Sequence, residues 1–360
     1  MRISKSGPRA SIVAGESSSA MSTTGLVTAV LTRGDRGRVR TSLCSGASLE
    51  PRSACGYGAR HVTRHRAGRR AGHCRRVRHI GGDFGTFRRR TGWDSREDGC
   101  MRIVVTGGSG DLGGRVVREL MSRGHAAVPA SRRSGVDLST GDGLDAVLDG
   151  ADAVIHAATS QSKPQSVEVA GARRIGDSLR RLGSTAHVVS ISIVGSDRVP
   201  YAYYRAKVDA EQALEQAGVP ATVVRATQFH SLAAFFGTAG RVGPVTFSIG
   251  HMRIQPVDID WVAQRLADHA TGPAPSAFRW ATDLAGPTAY TADDLAERLA
   301  KHDGRTTPRI LRIPPVLPVM RGFAEGGILP GPEAEIGGRT FEDWLGDQPT
   351  PMPRRFHSPT

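Results

Sequence analysis

A tyrosine and a lysine four residues apart carry the clearest sign of chemistry in this sequence. Tyr203 and Lys207 lie in residues 200–214, which predict a helix, so the two side chains would share one helix face about a turn apart. A phenol with its ordinary pKa of about 10 is a poor base at neutral pH, but a neighbouring ammonium group favours the phenolate. We therefore predict that Tyr203 exchanges a proton with a substrate and that Lys207 assists it.

A serine at the end of a strand would complete such a site. Residues 187–191 predict a strand, and Ser192 follows it directly. Its hydroxyl would hold the substrate oxygen while Tyr203 exchanges the proton. Ser190 is the alternative candidate for this role. Two further tyrosines flank the motif, so the spacing to the lysine alone selects Tyr203.

A glycine-rich turn between a strand and a helix indicates a second site. Residues 103–105 form an apolar run typical of a buried parallel strand, and apolar side chains recur at helical spacing after the turn. Gly107 allows the tight turn, Gly110 lets a pyrophosphate approach the backbone, and Gly113 lets the helix pack against the strand. The free N–H groups of the helix would bind the phosphates. We predict a dinucleotide site that contains Thr106, Gly107, Gly110, Asp111, Leu112 and Gly113.

The end of the second predicted strand, residues 126–130, indicates which dinucleotide binds. An NAD site normally has an Asp or Glu there, which accepts a hydrogen bond from the ribose 2′-hydroxyl. This chain instead has Ser131, Arg132 and Arg133. Guanidinium groups pair with a 2′-phosphate that a carboxylate would repel. We predict NADP(H) in preference to NAD(H); the alternative places both arginines on a solvated loop.

Two further strand ends are expected to contact the cofactor. A short third strand over residues 136–138 would place Asp137 and Leu138 against the adenine. A fourth strand, residues 153–156, is followed by Ala157 and Ala158, whose small side chains would let the cofactor cross the sheet edge. His156 at the end of that strand is expected to be a packed residue rather than a catalyst.

The spacing of strands and helices predicts the fold that positions these residues. Strands alternate with helices such as residues 164–182, which indicates an α/β fold with a Rossmann-type, doubly wound parallel sheet. From about residue 227 the pattern changes to short strands and helices, typical of a small α+β substrate-binding part. Gln228, Phe229 and His230 would face the cleft and contact substrate, with a structural role as the alternative for His230.

Together the glycine turn, the serine after the fifth predicted strand and the Tyr-x-x-x-Lys pair resemble the short-chain dehydrogenase/reductase superfamily. The stretches 192–195, 203–207 and 225–230 look most like its extended and atypical members, including NmrA-like NAD(P)-binding proteins. The resemblance covers about residues 101–346.

The resemblance implies a role for each motif residue. Tyr203 would be the acid/base, Lys207 would orient the nicotinamide ribose and assist Tyr203, and Ser192 would position the substrate. Many members have an asparagine near the position of Glu168, and this chain departs from that pattern, which puts the usual proton relay of the family in doubt.

Three functions follow from these features. The first is an NADP(H)-dependent oxidoreductase that transfers hydride to or from a small carbonyl, alcohol or quinone-like substrate. The second is a nucleotide-sugar epimerase or dehydratase with a tightly held cofactor. The third is an NmrA-like redox sensor that binds NAD(P) and a partner protein without turnover; the Tyr203–Lys207 pair favours chemistry over this alternative.

The charge of the chain is concentrated at one end. Of the 48 Lys and Arg and the 34 Asp and Glu, residues 1–100 hold 20 and 7, so the rest of the chain is nearly neutral with 28 and 27. No nucleic-acid partner is therefore expected for the folded part. Residues 1–100 are expected to be disordered. They could be a basic arm or a transit peptide, but Met101 stands directly before the first strand, so we favour residues 1–100 not being a working part of the protein.

The remaining composition bounds the partners. The four cysteines, all within residues 1–100, contain no C-x-x-C pair, and no metal site is expected. Residues 101–346 would then be a cysteine-free folded part, typical of the cytoplasm, with residues 347–360 as a loose tail. No apolar run approaches the length of a membrane span. We expect a small-molecule substrate and a monomer or homodimer.

Overall fold

The computed structural model describes residues 99–238, 241–242 and 244–352. The predictions for residues 1–98 and for the tail beyond residue 352 lie outside these ranges. The strands are β1 (Arg102–Thr106), β2 (Ala126–Ala130), β3 (Ala153–His156), β4 (His187–Ile193), β5 (Ala221–Ala226), β6 (Arg241–Val242), β7 (Val245–Ile249), β8 (Arg253–Ile254), β9 (Phe278–Trp280), β10 (Leu284–Ala285), β11 (Tyr290–Thr291), β12 (Arg309–Ile313) and β13 (Glu335–Ile336).

The helices lie between these strands. They are α1 (Asp111–Ser122), α2 (Leu144–Leu148), α3 (Ala170–Arg181), α4 (Ala202–Ala217), α5 (His230–Thr238), α6 (Ile259–Thr271), α7 (Ala292–His302), α8 (Pro318–Ala324) and α9 (Phe341–Gly346). Within the described ranges, no helix has both the length and the apolar character needed to cross a membrane.

The main sheet is parallel and confirms the predicted Rossmann-type α/β fold. Its strands lie in the order β2-β1-β3-β4-β5-β10-β13, with β9 also paired to β5. The central strands are mostly apolar because helices cover both faces of the sheet, and their polar residues include Ser190 and Ser192 of β4 and Arg225 of β5. One core lies between the sheet and helices α1 and α6, and a second lies between the sheet and helices α3 and α4.

The prediction of a third strand over residues 136–138 is wrong. This segment forms a turn instead, because its polar groups bond locally. The Asp137 N–H donates to the Asp142 carbonyl at 3.0 Å, and the Asp137 carboxylate accepts from the N–H and the hydroxyl of Ser139, each at 2.7 Å. Asp137 is thus held by its own loop, and β2 is an edge strand of the described sheet.

The predicted helix over residues 164–182 contains a change of winding. Residues 165–169 form a wide π-helical turn, and regular α3 begins only at Ala170. Such turns occur often at functional sites because they re-aim side chains. Here the turn contains Glu168, whose side chain is buried.

The C-terminal part adds a third core at the carboxyl end of the sheet. Strands β6, β7 and β12 form one small sheet, and β8 pairs with β11 in another. Leu295 of α7 and Phe341 of α9 are buried in this core together with Tyr204 of α4. Strand β8 ends at Ile254, and beyond it Val257 makes an isolated bridge to Phe229.

Candidate functional site

The glycine turn after β1 adopts a conformation that requires two of its three motif glycines. Gly107 has a φ of +71°, and a Cβ on it would lie 2.6 Å from the Cα of Ala158. A Cβ on Gly113 would overlap the carbonyl oxygen of Gly107. The chain itself therefore requires glycine at these two positions.

Gly110 differs from these two glycines. A Cβ there would meet only the Gly107 carbonyl oxygen, at 3.2 Å, among the described atoms within 4 Å. Gly110 is the N-cap of α1, and no described side chain caps this helix. The Asp111 carboxylate accepts from Arg115 Nε at 3.0 Å. Its charge is thus partly balanced, and the first turn of α1 fits an anionic group such as a pyrophosphate.

The turn after β2 presents the two predicted arginines to solvent. Arg132 and Arg133 are exposed in a single 3₁₀ turn, residues 132–134. The Ser131 N–H donates to Ser134 Oγ at 2.9 Å and holds this turn. In the part of the chain that the structure describes, neither guanidinium forms an ion pair. Both cations are free to pair with a phosphate.

The small residues after β3 pack against the glycine turn. The N–H of Gly107 donates to the Ala130 carbonyl at 2.9 Å, and Ala158 lies directly against Gly107. The turn therefore lies between the ends of β2 and β3. Leu138 is buried and lies beside the position where a Cβ of Gly171 would be. The structure thus brings the glycine turn together with the ends of β2 and β3, whereas the Asp137 carboxylate faces Ser139.

His156 at the end of β3 is a packed residue. Its Nδ1 lies 2.8 Å from Thr106 Oγ1, and burial lowers the pKa of His156 to about 4. The charges of Glu168 and Lys207 act on His156 in opposite directions. His156 is thus hydrogen-bonded to the first residue of the glycine turn and lies within range of the charges of Glu168 and Lys207.

Lys207 forms a buried ion pair with Glu168. Lys207 Nζ lies 2.6 Å from Glu168 Oε2, and both side chains are at least 94% buried. Burial alone would lower the pKa of Lys207, but the Glu168 carboxylate, with a contribution from Tyr203, raises it above its ordinary value. Lys207 is therefore a permanent cation. Its Nζ also lies 5.8 Å from the centre of the Tyr203 ring.

A threonine that sequence analysis missed connects Tyr203 to this pair. Thr159 Oγ1 lies 2.6 Å from Tyr203 Oη and donates to Glu168 Oε1. The direct distance from Tyr203 Oη to Glu168 Oε1 is 3.4 Å. Thr159 follows the two alanines after β3, and its position as the first polar residue beyond a central strand is the signal that could have identified it.

The pKa of Tyr203 is raised, which is opposite to the direction expected from the Tyr203–Lys207 pair alone. Burial is the largest cause; the Lys207 ammonium and the Thr159 hydroxyl act against it, and Glu168 adds to it. Because Glu168 offsets the charge of Lys207, the lysine stabilises the phenolate less than its position suggests. Tyr203 is thus a neutral phenol at neutral pH.

Ser192 takes part in a different network. Its hydroxyl donates to Glu211 Oε1 at 2.5 Å. Glu211 also accepts two bonds from Arg225, at 3.0 and 2.6 Å, and one from Trp280 Nε1 at 3.2 Å. The third polar contact of Arg225 is Asp197, at 2.8 Å. The Ser192 hydroxyl is therefore hydrogen-bonded to Glu211 and not to Tyr203.

Ser190 lies two residues before Ser192 on β4, so the two serines are on the same face of the sheet. It is paired in register with His156 of β3, whose pKa responds to Glu168 and Lys207. Its hydroxyl makes no hydrogen bond with the described residues. Of the two candidate serines, Ser190 is the one with a hydroxyl available to a ligand.

The three predicted substrate residues differ in their surroundings. Gln228 is buried, and its amide oxygen and nitrogen have no hydrogen-bond partner among the described residues. Burial raises the pKa of Tyr204, and the nearby Gln228 amide lowers it. Phe229 bridges Val257. His230 Nε2 lies 3.1 Å from the Arg339 carbonyl, and its ring packs on aromatic side chains of α9. These contacts favour the structural role for His230, the alternative to contact with substrate.

Comparison with known proteins finds one family model and several solved structures of similar fold. Residues 103–231 match the family model "NAD dependent epimerase/dehydratase family". An NADPH-dependent quinone oxidoreductase from Escherichia coli, solved with NADPH, shares 16% identity at a TM-score of 0.55, over 68% of this chain and 98% of that one. A nucleoside-diphosphate-sugar epimerase from Staphylococcus aureus shares 15% identity at a TM-score of 0.55, over 69% and 100%.

No curated protein matches the chain by sequence. The structural similarities, at these identities, concern the fold. They confirm the predicted Rossmann-type fold, and the family match over residues 103–231 agrees with the predicted resemblance for that part of the chain.

Proposed function

We propose that this chain is an NADP(H)-dependent oxidoreductase of the short-chain dehydrogenase type, which reduces a small carbonyl or quinone-like compound. The observation that carries this proposal is the hydrogen-bonded connection of Tyr203 to Lys207 through Thr159 and Glu168. This network lies beside His156, whose ring is hydrogen-bonded to Thr106 at the start of the glycine turn. A proton donor and a dinucleotide cleft therefore adjoin each other.

The cleft fits NADP(H) through residues of this chain. The uncapped first turn of α1 at Gly110 would hold the pyrophosphate, and Arg132 and Arg133 would hold the 2′-phosphate. The E. coli quinone oxidoreductase of similar fold was solved with NADPH. When bound, the reduced nicotinamide supplies a hydride.

The protein supplies the proton. Because its pKa is raised, Tyr203 is protonated at neutral pH and donates from Oη to the substrate oxygen as that oxygen gains negative charge. Ser190, whose hydroxyl is available, would hold this oxygen in place, while Ser192 stays with Glu211. Lys207 would stabilise the negative charge left on Tyr203, which keeps the transfer feasible in a buried site.

A second candidate function is a nucleotide-sugar epimerase or dehydratase. The family match over residues 103–231 and the S. aureus epimerase of similar fold favour it. Such an enzyme returns its cofactor to the starting redox state, so it would not consume NADPH in a net reaction with a quinone. Net cofactor oxidation therefore separates the two functions.

The test is turnover by the full chain. We expect NADPH to be oxidised with at least one member of a panel of small aldehydes, ketones and quinones, and Tyr203→Phe to lower kcat by about 10²-fold or more, the usual contribution of a general acid. Tyr201→Phe is the matched control and should retain activity. Equal turnover by wild type and Tyr203→Phe would contradict the catalytic assignment, and epimerisation without net NADPH oxidation would favour the second function.

A further inference from the structure

Thr159 occupies the junction of the Tyr203 network. Its Oγ1 contacts both Tyr203 Oη, at 2.6 Å, and Glu168 Oε1. An ionised carboxylate only accepts hydrogen bonds, so the single hydroxyl proton of Thr159 goes to Glu168. The Tyr203 hydroxyl must then donate to Thr159 Oγ1. The hydroxyl protons are thus aligned in one direction, from Tyr203 through Thr159 to Glu168.

Exposure separates Thr159 from the other members of this network. Glu168 and Lys207 are buried, with 1% and 5% of their surfaces exposed, and Tyr203 is half-buried. Thr159 is exposed. A proton that passes between solvent and the Tyr203 hydroxyl through this network therefore has its entrance at Thr159.

We propose that Thr159 is a proton relay between solvent and Tyr203, and that Glu168 positions the Thr159 hydroxyl and the Lys207 ammonium for it. The proposal rests on the function proposed above and extends it to the step that restores Tyr203. It assigns a role to Glu168, where many members of the resembled superfamily have an asparagine.

The proton balance is as follows for reduction of a carbonyl. A bound reduced nicotinamide would supply the hydride for the new C–H bond, and the Tyr203 proton forms the O–H bond of the product. The Thr159 hydroxyl then turns from Glu168 to the phenolate of Tyr203 and transfers its proton, in concert with the uptake of one proton from water by Thr159 Oγ1. One proton thus passes from solvent to product.

Two variants at one position separate a relay from mere packing. Thr159→Val keeps the shape and removes the hydroxyl, whereas Thr159→Ser keeps the hydroxyl. With NADPH and menadione as the assay pair, we expect kcat to fall by about 10- to 100-fold in Thr159→Val and by less than about threefold in Thr159→Ser. The solvent deuterium isotope effect on kcat should rise only in Thr159→Val, and the KM for NADPH should stay unchanged in both. Equal kcat for wild type and Thr159→Val would overturn the relay.

A second measurement does not depend on turnover. The pKa of Tyr203 can be read from phenolate absorbance as the difference between a protein and its Tyr203→Phe counterpart. When Tyr203 loses its proton, the Thr159 hydroxyl can turn from Glu168 and donate to the phenolate. Thr159→Val removes this hydrogen bond, so the pKa of Tyr203 should rise, whereas Thr159→Ser should leave it unchanged. An unchanged pKa in Thr159→Val would overturn the proposal.

The two measurements also distinguish the relay from the function on which it rests. If the wild type does not oxidise NADPH with any quinone or carbonyl, the proposed function fails, and the Tyr203 titration by itself decides whether Thr159 is coupled to Tyr203. If the wild type turns over and the two Thr159 variants have equal kcat, the function stands and the relay is overturned.

Discussion

At the residue scale, burial raises the pKa of Tyr203, and Glu168 offsets the opposing effect of Lys207. A lysine beside a tyrosine favours the phenolate, but a carboxylate 2.6 Å from the ammonium offsets that effect. The result is a neutral phenol with a raised pKa, which suits proton donation and hence reduction. The Lys207–Glu168 ion pair is buried. Removing one partner leaves an uncompensated buried charge, which lowers the free energy of unfolding by about 3–5 kcal/mol.

We predict that Glu168→Gln shifts the pH dependence of reduction. Reduction needs protonated Tyr203, so the rate falls as pH rises through the pKa of Tyr203. Without the carboxylate, the Lys207 ammonium acts on Tyr203 alone and lowers that pKa, so the alkaline limb of the kcat–pH profile should move to lower pH. Glu215→Gln, an exposed substitution on the same helix as Lys207, should leave the profile unchanged. A limb that stays in place in Glu168→Gln would contradict this account.

At the element scale, the turn between β1 and α1 uses chemically identical glycines for different purposes. Gly113 lies against the Gly107 carbonyl, so its lack of a side chain serves the packing of α1 on the turn. Gly110 has no such crowding and faces the space before the N-terminus of α1. Gly114, one residue beyond Gly113, has no neighbour closer than 3.7 Å to the position of a Cβ. Substitutions at the three positions should therefore have separable effects.

We predict that Gly113→Ala lowers the free energy of unfolding by about 1–3 kcal/mol, because the new methyl group must displace the turn. Gly110→Ala should change stability by less than about 1 kcal/mol and weaken NADPH binding by about tenfold or more, because its methyl group lies where the pyrophosphate approaches. Gly114→Ala is the control and should be neutral or slightly stabilising in a helix. Urea unfolding and NADPH titration measure both quantities. Unaltered NADPH affinity in Gly110→Ala would place the pyrophosphate elsewhere.

The 3₁₀ turn after β2 should determine the choice between the two nicotinamide cofactors. Replacing Arg132 and Arg133 together by alanine should weaken NADPH binding by about 10- to 100-fold and leave NADH binding nearly unchanged, because only NADPH has the 2′-phosphate. Arg173→Ala, at an exposed arginine on α3, is the matched control. The measurement is fluorescence titration with both cofactors at constant salt. Tighter binding of NADH than of NADPH by the wild type would show that the two arginines do not select the cofactor.

At the scale of the whole molecule, three hydrophobic cores stabilise the main sheet and the C-terminal part. Two lie on the faces of the main sheet, and the third lies at its carboxyl end, where α9 packs on α5 and α7. Phe341 of α9 contacts the rings of His230, Tyr290 and Trp344 in this core. The C-terminal segment thus supports the strand end from which Gln228 extends.

We predict that Phe341→Ala lowers the free energy of unfolding by about 3–5 kcal/mol, since it removes a fully buried aromatic side chain from the third core. Val316→Ala, at a side chain that is 70% exposed, should change it by less than about 0.5 kcal/mol. Chemical denaturation of both variants measures the difference. A loss in Phe341→Ala no larger than in Val316→Ala would mean that the third core does not contribute to folding.

Much of the fold was predictable because its signals are local. The apolar run of β1, the glycines that follow it and the helix caps at Asp258 and Thr291 each depend on a few consecutive residues. The error at residues 136–138 has a local cause too, since Asp137 and Ser139 bond each other and close a turn that apolar periodicity does not report. The π-helical turn before α3, residues 165–169, has no comparable local sequence pattern that would predict it.

By itself, the sequence determined the doubly wound fold, the glycine turn and the Tyr203–Lys207 pair, because periodicity and spacing along one chain are enough to define them. Tertiary structure alone decided which distant groups meet: Thr159 follows β3, Glu168 precedes α3, and both contact side chains of α4. Burial of Tyr203 in the folded chain, together with Glu168, raises the pKa that Lys207 alone would lower, and a separate contact brings the Ser192 hydroxyl to Glu211. The physical reason is that electrostatic and hydrogen-bond energies depend on distances in space, and no local pattern records the distance between residues about 40 positions apart.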